Sequence, residues 1–490
     1  MNALPVLIVA TPLAAALVPP LLALASVRAA KAWSLAAQAL CLALSIAALR
    51  AVLAGGPLRH ALGGWPAPWG IECVLDAFSA ALAVLVAGLA VLTTVYAWDW
   101  EDRRGPVREG AFQSLFLLLL AGLLGMLAAG DLFNLYVFLE IASLSSYALV
   151  AAGPGREAPL AAFRYLILGG AGATFWVLGL GYLYALTGTL NMADLSSRWP
   201  AISASPAAAA GLGLMVAGLA LKMPVFPLHG WQPGAYAASP PQLMPFIASA
   251  GSKVMAYAIF RLLAGTLGSE GQAGRVLEAL APVGLLSVAA GSMLALTQTD
   301  VRRMLAYSSV AQLGLLFVGF SLGGRWAVIG VFWHMLAHAV LKSCLFMAAG
   351  SVARRRGSCE IDDFAGLGRT APLTAFCFAS AGLALIGLPP AAGFFGKWYL
   401  LRGALDAGAW VSLSVVAASG LMTALYVFRL LERMYLAPPP ESKRVEPMGP
   451  WGAAPMLALA VAAILLGVFN QPLIAAFIEP ARLAATGGRG

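Results

Sequence analysis

The sequence predicts an all-α membrane protein that crosses the bilayer about fourteen times. Of its 490 residues, 61% are hydrophobic and only 10% are charged, which is far more apolar surface than a soluble chain of this length could bury. The apolar residues form continuous runs of about 20 or more, the length that a helix needs to cross the hydrocarbon. No long polar stretch separates these runs, so we expect a single transmembrane domain over residues 1–490.

Fourteen runs are long enough to be membrane-spanning helices. In chain order they cover residues 4–26, 32–54, 76–97, 111–129, 131–151, 159–187, 206–235, 241–266, 278–298, 302–321, 325–352, 372–402, 409–434 and 451–475. The first run is interpreted as a retained span, because its nearby charges, Arg28 and Lys31, follow it, whereas those of a signal peptide come in front.

Two of these runs are interrupted by proline and glycine, and each carries a lysine beside the interruption. We predict broken helices near residues 222–227 and 387–397. Proline removes a backbone donor, and the carbonyl groups that it frees are tolerated in a membrane only where they line a cavity or face other helices. Paired broken helices in the two halves of a chain therefore indicate an internal repeat with a site at each break.

The net charge of +9 comes from arginines spread over short connections, so we expect no nucleic-acid partner. Outside the spans or at their ends, 17 lysines and arginines fall in the connections after odd-numbered spans and 9 fall on the opposite side. The positive-inside rule then predicts a cell (inner) membrane protein with both termini on the non-cytoplasmic side. The five cysteines form no CxxC pair, and we expect neither a metal nor another cofactor in this chain.

Four of the six lysines and one glutamate lie inside apolar runs. They are Lys222, Lys253, Lys342, Lys397 and Glu140. A charged side chain at the middle of a bilayer costs roughly 2.5 to 3.5 kcal/mol on insertion scales, so this set needs more than about 10 kcal/mol of compensation. The pattern predicts movement of protons or cations through the membrane.

Lys222 and Glu140 are candidates for an intramembrane ion pair. Lys222 lies just before the first break, near the carboxyl end of a half-helix, where the helix dipole favours a cation. Closing such a pair favours the two charged forms, and opening it favours the two neutral forms. The pair could therefore take up and release a proton, or it could be a static ion pair that only holds two spans together.

His334, His338 and Lys342 recur at i, i+4 and i+8. They share one face of a helix and step along it by about 6 Å each, as rungs of a proton path would. Transfer over such steps needs intervening water, so this interpretation implies a hydrated interior. Two alternatives remain: a structural polar stripe, and a metal site of HxxxH spacing that lacks the glutamate of HExxH.

Two further residues have open alternatives. Lys253 follows the small residues 248–252, which allow close helix approach, and we predict that it relays protons between Lys222 and the histidines. Snorkelling toward an interface is its alternative. His229 lies beyond the first break and is either a gate or an interfacial residue.

Five motifs in order resemble the antiporter-like subunits shared by Mrp-type Na+/H+ antiporters, respiratory complex I and membrane-bound hydrogenases. The motifs are residues 130–140, 222–231, 300–314, 334–342 and 393–397. The resemblance covers about residues 70–435, and the stretch around Glu140 looks closest to the D-type subunit of the Mrp antiporters. The chain departs from the family at residues 232–234, which read Gln-Pro-Gly where the family usually has Leu-Pro-Asp.

The resemblance implies two inverted five-helix repeats, each forming half of a proton path. The expected segments are N-terminal helices at 1–110, repeats at 111–266 and 278–434, and a C-terminal helix at 451–475. The resemblance also implies roles in the relay. These are an ion pair of Glu140 with Lys222, a central relay at Lys253, a connecting element at His334 and His338, and an exit at Lys397.

The leading hypothesis is a proton-translocating subunit of a multi-subunit Na+/H+ antiporter. The alternative is the same kind of subunit in a complex I-like NADH:quinone oxidoreductase or a membrane-bound hydrogenase. A scaffold that conducts nothing is a third class. We expect no catalytic chemistry in this chain, protons as the transported ion with sodium left open, and the bilayer and other membrane subunits as partners.

Overall fold

Helices make up most of the computed structural model, which describes residues 3–100, 105–268, 271–439 and 448–485. The α-helices are Leu4–Ala15, Pro19–Ala25, Val27–Gly55, Ala77–Tyr96, Pro106–Ala128, Leu132–Ala151, Ala158–Thr187, Met192–Ile202, Pro206–Lys222, Gln232–Ala238, Met244–Phe246, Ser252–Phe260, Gly271–Leu296, Val301–Leu322, Gly324–Arg356, Leu367–Thr370, Pro372–Ile386, Ala392–Asp406, Trp410–Tyr435, Pro450–Val468, Asn470–Leu473 and Glu479–Ala485. Wider π-turns cover Ile247–Gly251, Arg261–Thr266 and Ile474–Ile478, and 3-10 turns cover Leu62–Gly64 and Ile361–Phe364. The predicted all-α membrane fold is confirmed.

Within the described ranges, twelve helices are long and apolar enough to cross a membrane. A thirteenth results if Ile361–Thr370 and Pro372–Ile386, which meet at 118°, count as one span. The predicted run 206–235 instead holds the shorter helix Pro206–Lys222, because the chain breaks after it. The count of fourteen therefore stays a prediction.

Both broken helices are present, and one break differs from its prediction. The first broken helix ends at Lys222 and resumes at Gln232, so its interruption is longer than the predicted 222–227. The second broken helix ends at Ile386 and resumes at Ala392. Lys397 therefore lies inside the second half-helix and not in the break, because Pro389 and Pro390 end the interruption early and the chain is helical again before Gly393.

A short β-hairpin, which the sequence analysis did not predict, marks one face of the membrane domain. Its strands Leu58–Ala61 and Glu72–Leu75 pair antiparallel. Bridges join Cys73 to Ala129 and Asp131 to Asn191, so that the ends of three long helices meet the hairpin there. We call this end the hairpin face.

The opposite end carries Arg354, Arg355 and Arg356, and we call it the arginine face. The Lys31 ammonium donates to the Trp100 carbonyl at 2.6 Å, and Arg354 donates to the Asp99 carbonyl at 3.3 Å. These contacts join the connection after Ala77–Tyr96 to the ends of two other helices.

Several contacts recur 169 residues further along the chain. The Asp131–Asn191 bridge on the hairpin face has its counterpart in the Asp300–Glu360 bridge on the arginine face (131 and 300, 191 and 360). Each aspartate also accepts hydrogen bonds from the first turn of the helix that follows it. This recurrence at opposite faces supports the predicted inverted repeat, which otherwise stays a prediction.

The helix Gly324–Arg356, here called the histidine helix, forms the centre of the domain. In its most apolar 18-residue window, 94% of the residues are buried. Its Trp333 indole donates to the Ala392 carbonyl at 2.9 Å, where the second broken helix resumes. A helix so fully enclosed by protein can carry polar side chains without exposing them to lipid.

Candidate functional site

Lys222 and Glu140 form the predicted salt bridge. The Lys222 Nζ lies 3.0 Å from Oε1 of Glu140 and 2.6 Å from Oγ of Ser143. The hydroxyl of Tyr147 accepts a third, longer hydrogen bond at 3.3 Å. Glu140, Ser143 and Tyr147 are spaced at i, i+3 and i+7, so that one face of the helix Leu132–Ala151 surrounds the ammonium.

The first break places this lysine. Pro224 cannot continue the hydrogen bonding of the helix, which therefore ends at Lys222 with its last carbonyl groups unpaired. The Trp231 indole donates to one of them, the Leu221 carbonyl, at 2.8 Å. The negative end of the helix dipole therefore lies beside the Lys222 ammonium and favours its charged form.

A small cavity of about 30 Å³ joins this ion pair to the helix that carries Lys253. Lys222 and Ser143 line it on one side and Ser252 lines it on the other. A volume of this size can hold one or two water molecules. Because the Lys253 ammonium donates to Ser252 Oγ at 3.2 Å, the cavity brings Lys222 and Lys253 within reach of shared water.

Lys253 lies in the middle of the protein and not at an interface, so the snorkelling alternative is wrong. Only 1% of the residue is exposed. Its ammonium donates to the Ala248 carbonyl at 2.8 Å, five residues earlier, beside the π-turn Ile247–Gly251. A π-turn widens the helix and is frequent at functional sites.

The face formed by His334, His338 and Lys342 is present as predicted. The two imidazole rings are nearly parallel, with their centroids 5.8 Å apart, close to one turn of rise. The Lys342 ammonium donates to the Leu305 carbonyl at 2.7 Å and to Ser308 Oγ. The charges of Lys253 and Lys342 both act on His338, so the relay residues are electrostatically connected.

The polar atoms of this face are poorly satisfied by protein. Among the described residues, neither ring nitrogen of His334 or His338 has a hydrogen-bond partner, and the same holds for the amide of Gln312 and the Ser343 hydroxyl. Buried groups of this kind are usually satisfied by ordered water. This supports the predicted hydrated interior and argues against a purely structural polar stripe.

Lys397 lies at the second break in a setting like that of Lys222. Its ammonium donates to the Leu385 and Ile386 carbonyls at 3.2 and 3.0 Å, which are the last carbonyls of the helix Pro372–Ile386. Both breaks therefore hold an ammonium group at the carboxyl end of their first half-helix. In the part of the chain that is described, Lys253, Lys342 and Lys397 have no carboxylate within salt-bridge distance.

Gly396 sets the spacing between Lys397 and the histidines. A Cβ atom built there would lie 2.9 Å from Nδ1 and 3.2 Å from Cα of His334, so a side chain would push the histidine helix away. We expect Gly396→Ala to cost roughly 1 to 3 kcal/mol, as overpacking does, and to slow proton translocation. Turnover and thermal stability of the purified complex measure the two effects.

Gly170→Ala is the matched control for this variant. Gly170 is also helical, but a Cβ atom there meets nothing within 4 Å. It is expected to leave proton translocation unchanged. Equal effects of the two substitutions would show that the contact with His334 does not matter.

His229 lies in the first break and is not joined to the relay by a hydrogen bond. It is 9% exposed, its Nδ1 has no partner among the described residues, and its ring packs 5.8 Å from that of Tyr307. Its proposed gate stays a prediction. Gln232, which begins the next half-helix, is fully buried with both amide atoms unpartnered in the described chain. Its departure from the usual family sequence was the only signal that could have marked it.

The described ranges contain no group of three or more His, Cys, Asp or Glu side chains that could hold a metal ion. The HxxxH metal-site alternative is not favoured by this geometry, because the two imidazole rings are stacked on each other and no third ligand joins them.

A helical membrane domain with two broken helices and a line of buried lysines and histidines defines an antiporter-like membrane subunit. Residues 129–423 match the family described as "NADH:quinone oxidoreductase/Mrp antiporter, TM". The chain belongs to this family, as its resemblance predicted.

The relatives come from redox complexes and from antiporters. The chain is 44% identical to NADH-quinone oxidoreductase subunit N of Desulforudis audaxviator, over 97% of this chain and 98% of that protein. It is 28% identical to the D-type subunit of the Na(+)/H(+) antiporter of Alkalihalophilus pseudofirmus, over 84% and 83% of the two chains. Among solved structures, a chain of an archaeal membrane-bound sulfane sulfur reductase superposes with a TM-score of 0.93 at 31% identity, covering 100% of this chain and 99% of that one.

Proposed function

We propose that this chain is a proton-translocating subunit of a multi-subunit, redox-driven membrane complex of the complex I type. The observation that carries the proposal is the buried Lys222–Glu140 ion pair, which opens on the cavity toward the unpaired Lys253. A pair that forms and separates can drive a proton on or off its neighbours, whereas Lys253 without a counter-ion favours the neutral form.

Proton movement follows from the order of these groups. When the ion pair separates, the Lys222 proton is favoured to move through the cavity toward Ser252 and Lys253. From there, water beside the unpartnered imidazoles of His338 and His334 connects the path to Lys397 at the second break. Re-forming the pair recharges Lys222 from one side of the membrane while Lys397 releases to the other.

The comparisons favour the redox alternative over the antiporter that the sequence analysis put first. The subunit N relative is considerably more similar than the antiporter relative, at 44% against 28% identity. The respiratory sulfane sulfur reductase supports the same choice. Electron transfer with quinone or metal centres would then belong to partner subunits, and this chain would respond to it mechanically or electrostatically.

An Na+/H+ antiporter is the second candidate, supported by the antiporter relative and by the shared family. In either machine we propose a cell-membrane location with both termini outside the cytoplasm. The arginine face supports this orientation, because cytoplasmic connections carry an excess of arginine and lysine.

The two candidates are separated by purifying the intact complex and loading it into sealed vesicles. Co-purification with iron–sulfur proteins, and proton uptake that starts on addition of an electron donor and quinone, are expected. Small antiporter subunits and proton movement driven only by a sodium gradient would replace the redox proposal with the antiporter. Normal proton movement by a complex that lacks this chain would support the scaffold.

A further inference from the structure

A charged cavity of about 330 Å³ opens on the hairpin face, outside the relay described above. Carboxylates of Glu72 and Asp76 and the guanidinium of Arg59 line its mouth, and Tyr257 and Arg261 line its inner wall. The volume corresponds to roughly ten water molecules. Two carboxylates at its mouth attract cations, protons included.

The cavity approaches Lys253 along one helix face. Lys253, Tyr257 and Arg261 are spaced at i, i+4 and i+8, which puts the cavity wall only about 12 Å of helix rise from the relay lysine. Phe78 stacks on Phe332 with ring centroids 3.6 Å apart, two residues before His334. Little protein therefore separates the relay from water on the hairpin face.

Arg261 closes this gap. Its guanidinium donates to the Tyr257 hydroxyl at 2.7 Å and to the Leu127 carbonyl at 3.0 Å, which ties the cavity wall to the end of the helix Pro106–Ala128. In the described chain it forms no salt bridge with Glu72 or Asp76. Arginine stays charged at any accessible pH, so its field repels an excess proton that tries to cross this wall.

The same clamp recurs on the arginine face. Arg429 donates to the Leu296 carbonyl at 2.8 Å, and Leu296 follows Leu127 by 169 residues (127 and 296), the interval of the other recurring contacts. Tyr426 likewise follows Tyr257 by 169 residues (257 and 426) and lies beside Ser308, the hydroxyl that binds Lys342. Each half of the domain thus has a relay lysine, a tyrosine and an arginine in order toward one face.

We propose that Arg261 is an electrostatic seal between Lys253 and the hairpin-face cavity, and that Arg429 is the corresponding seal between Lys342 and the arginine face. Each seal closes its half of the domain toward one face only, so protons on the relay must pass to the other half before release. The inference rests on the proposed proton relay. A clamp that only stabilises the fold is the competing explanation.

The test measures passive proton leak of vesicles that contain the whole complex, without electron donor or sodium gradient. Arg261→Gln is expected to raise the leak about tenfold, which corresponds to lowering the barrier by about 1.4 kcal/mol. Arg261→Lys keeps the charge and is expected to stay near the unmodified level. The double variant Arg261→Gln with Lys253→Met is expected to lose the leak, because the path past the seal begins at Lys253.

Arg198→Gln is the matched control on the same face. Arg198 is half exposed and pairs with Asp194 at 3.0 Å, and this hydrogen bond holds the pKa of Asp194 below its usual value. Its loss is expected to cause no leak.

An assembled Arg261→Gln complex without leak would overturn the proposal, and so would a leak that persists in the double variant. If Arg261→Gln does not assemble, Arg429→Gln with and without Lys342→Met is decided in the same way. Because the leak is measured without a driving force, it is independent of the proposed machine. If Lys222→Ala retains full translocation, the proposed function fails, whatever the leak shows.

Discussion

Lys222→Ala is expected to abolish proton translocation while electron transfer or assembly of the complex persists at least in part. The substitution removes the ammonium that binds Glu140, Ser143 and Tyr147 and leaves the carboxylate without its partner. Breaking a buried ion pair on one side costs about 3 to 5 kcal/mol, and the lower end applies here because 27% of the Glu140 side chain is exposed. Proton uptake by vesicles, normalised to assembled complex, measures the loss.

Lys31→Ala provides the matched control for Lys222→Ala. Lys31 is 7% exposed and Lys222 is 6% exposed, but Lys31 binds the Trp98 and Trp100 carbonyls at the arginine face, away from the relay. Its removal is expected to lower stability and to leave proton uptake per assembled complex unchanged. Equal loss of uptake in both variants would mean that burial, and not the ion pair, explains the effect.

Lys253→Met is expected to stop translocation without destabilising the complex. The ammonium of Lys253 is buried with only a carbonyl and a hydroxyl as partners, so its charge is poorly compensated. Methionine has a similar length and no charge, and the change removes an insertion cost of roughly 2.5 to 3.5 kcal/mol. A thermal midpoint equal to or above that of the unmodified complex, together with proton uptake at least about tenfold lower, is the expected pair of results.

The opposite outcome would place Lys253 in the scaffold. If Lys253→Met lowers the thermal midpoint and leaves uptake intact, its contacts with Ala248 and Ser252 matter for folding and not for proton transfer. Lys253→Arg distinguishes charge from chemistry, because arginine keeps the charge but cannot release its proton at accessible pH. Its uptake is expected to be as low as that of the methionine variant.

The identity of the relay residues could be predicted from the sequence, because charge in an apolar run is costly wherever the helix packs. Glu140 and Lys222 meet as expected, and His334 and His338 share a face at the expected spacing. Their roles in transport remain predictions.

Other features depend on packing that spacing cannot show. The carbonyls that bind Lys342 and Lys397 come from neighbouring helices, and the sequence does not say which helix ends lie beside them. The break before Lys397 is shorter than predicted, because Gly393 and Gly396 are compatible with a helix that packs closely on the histidine helix. The hairpin was missed because its two strands are only four residues each.

The two stacked imidazoles at the centre of the domain carry no built-in polarity. With no fixed partner on any of the four ring nitrogens in the described structure, neither tautomer of His334 or His338 is preferred by a hydrogen bond. A proton can therefore pass through this pair equally well in both directions. The direction of transport is then decided at the two ends of the chain of groups, by whichever partner charges Lys222 or discharges Lys397 first. One conductor of this kind can serve machines that run in opposite senses, with the partner setting the current.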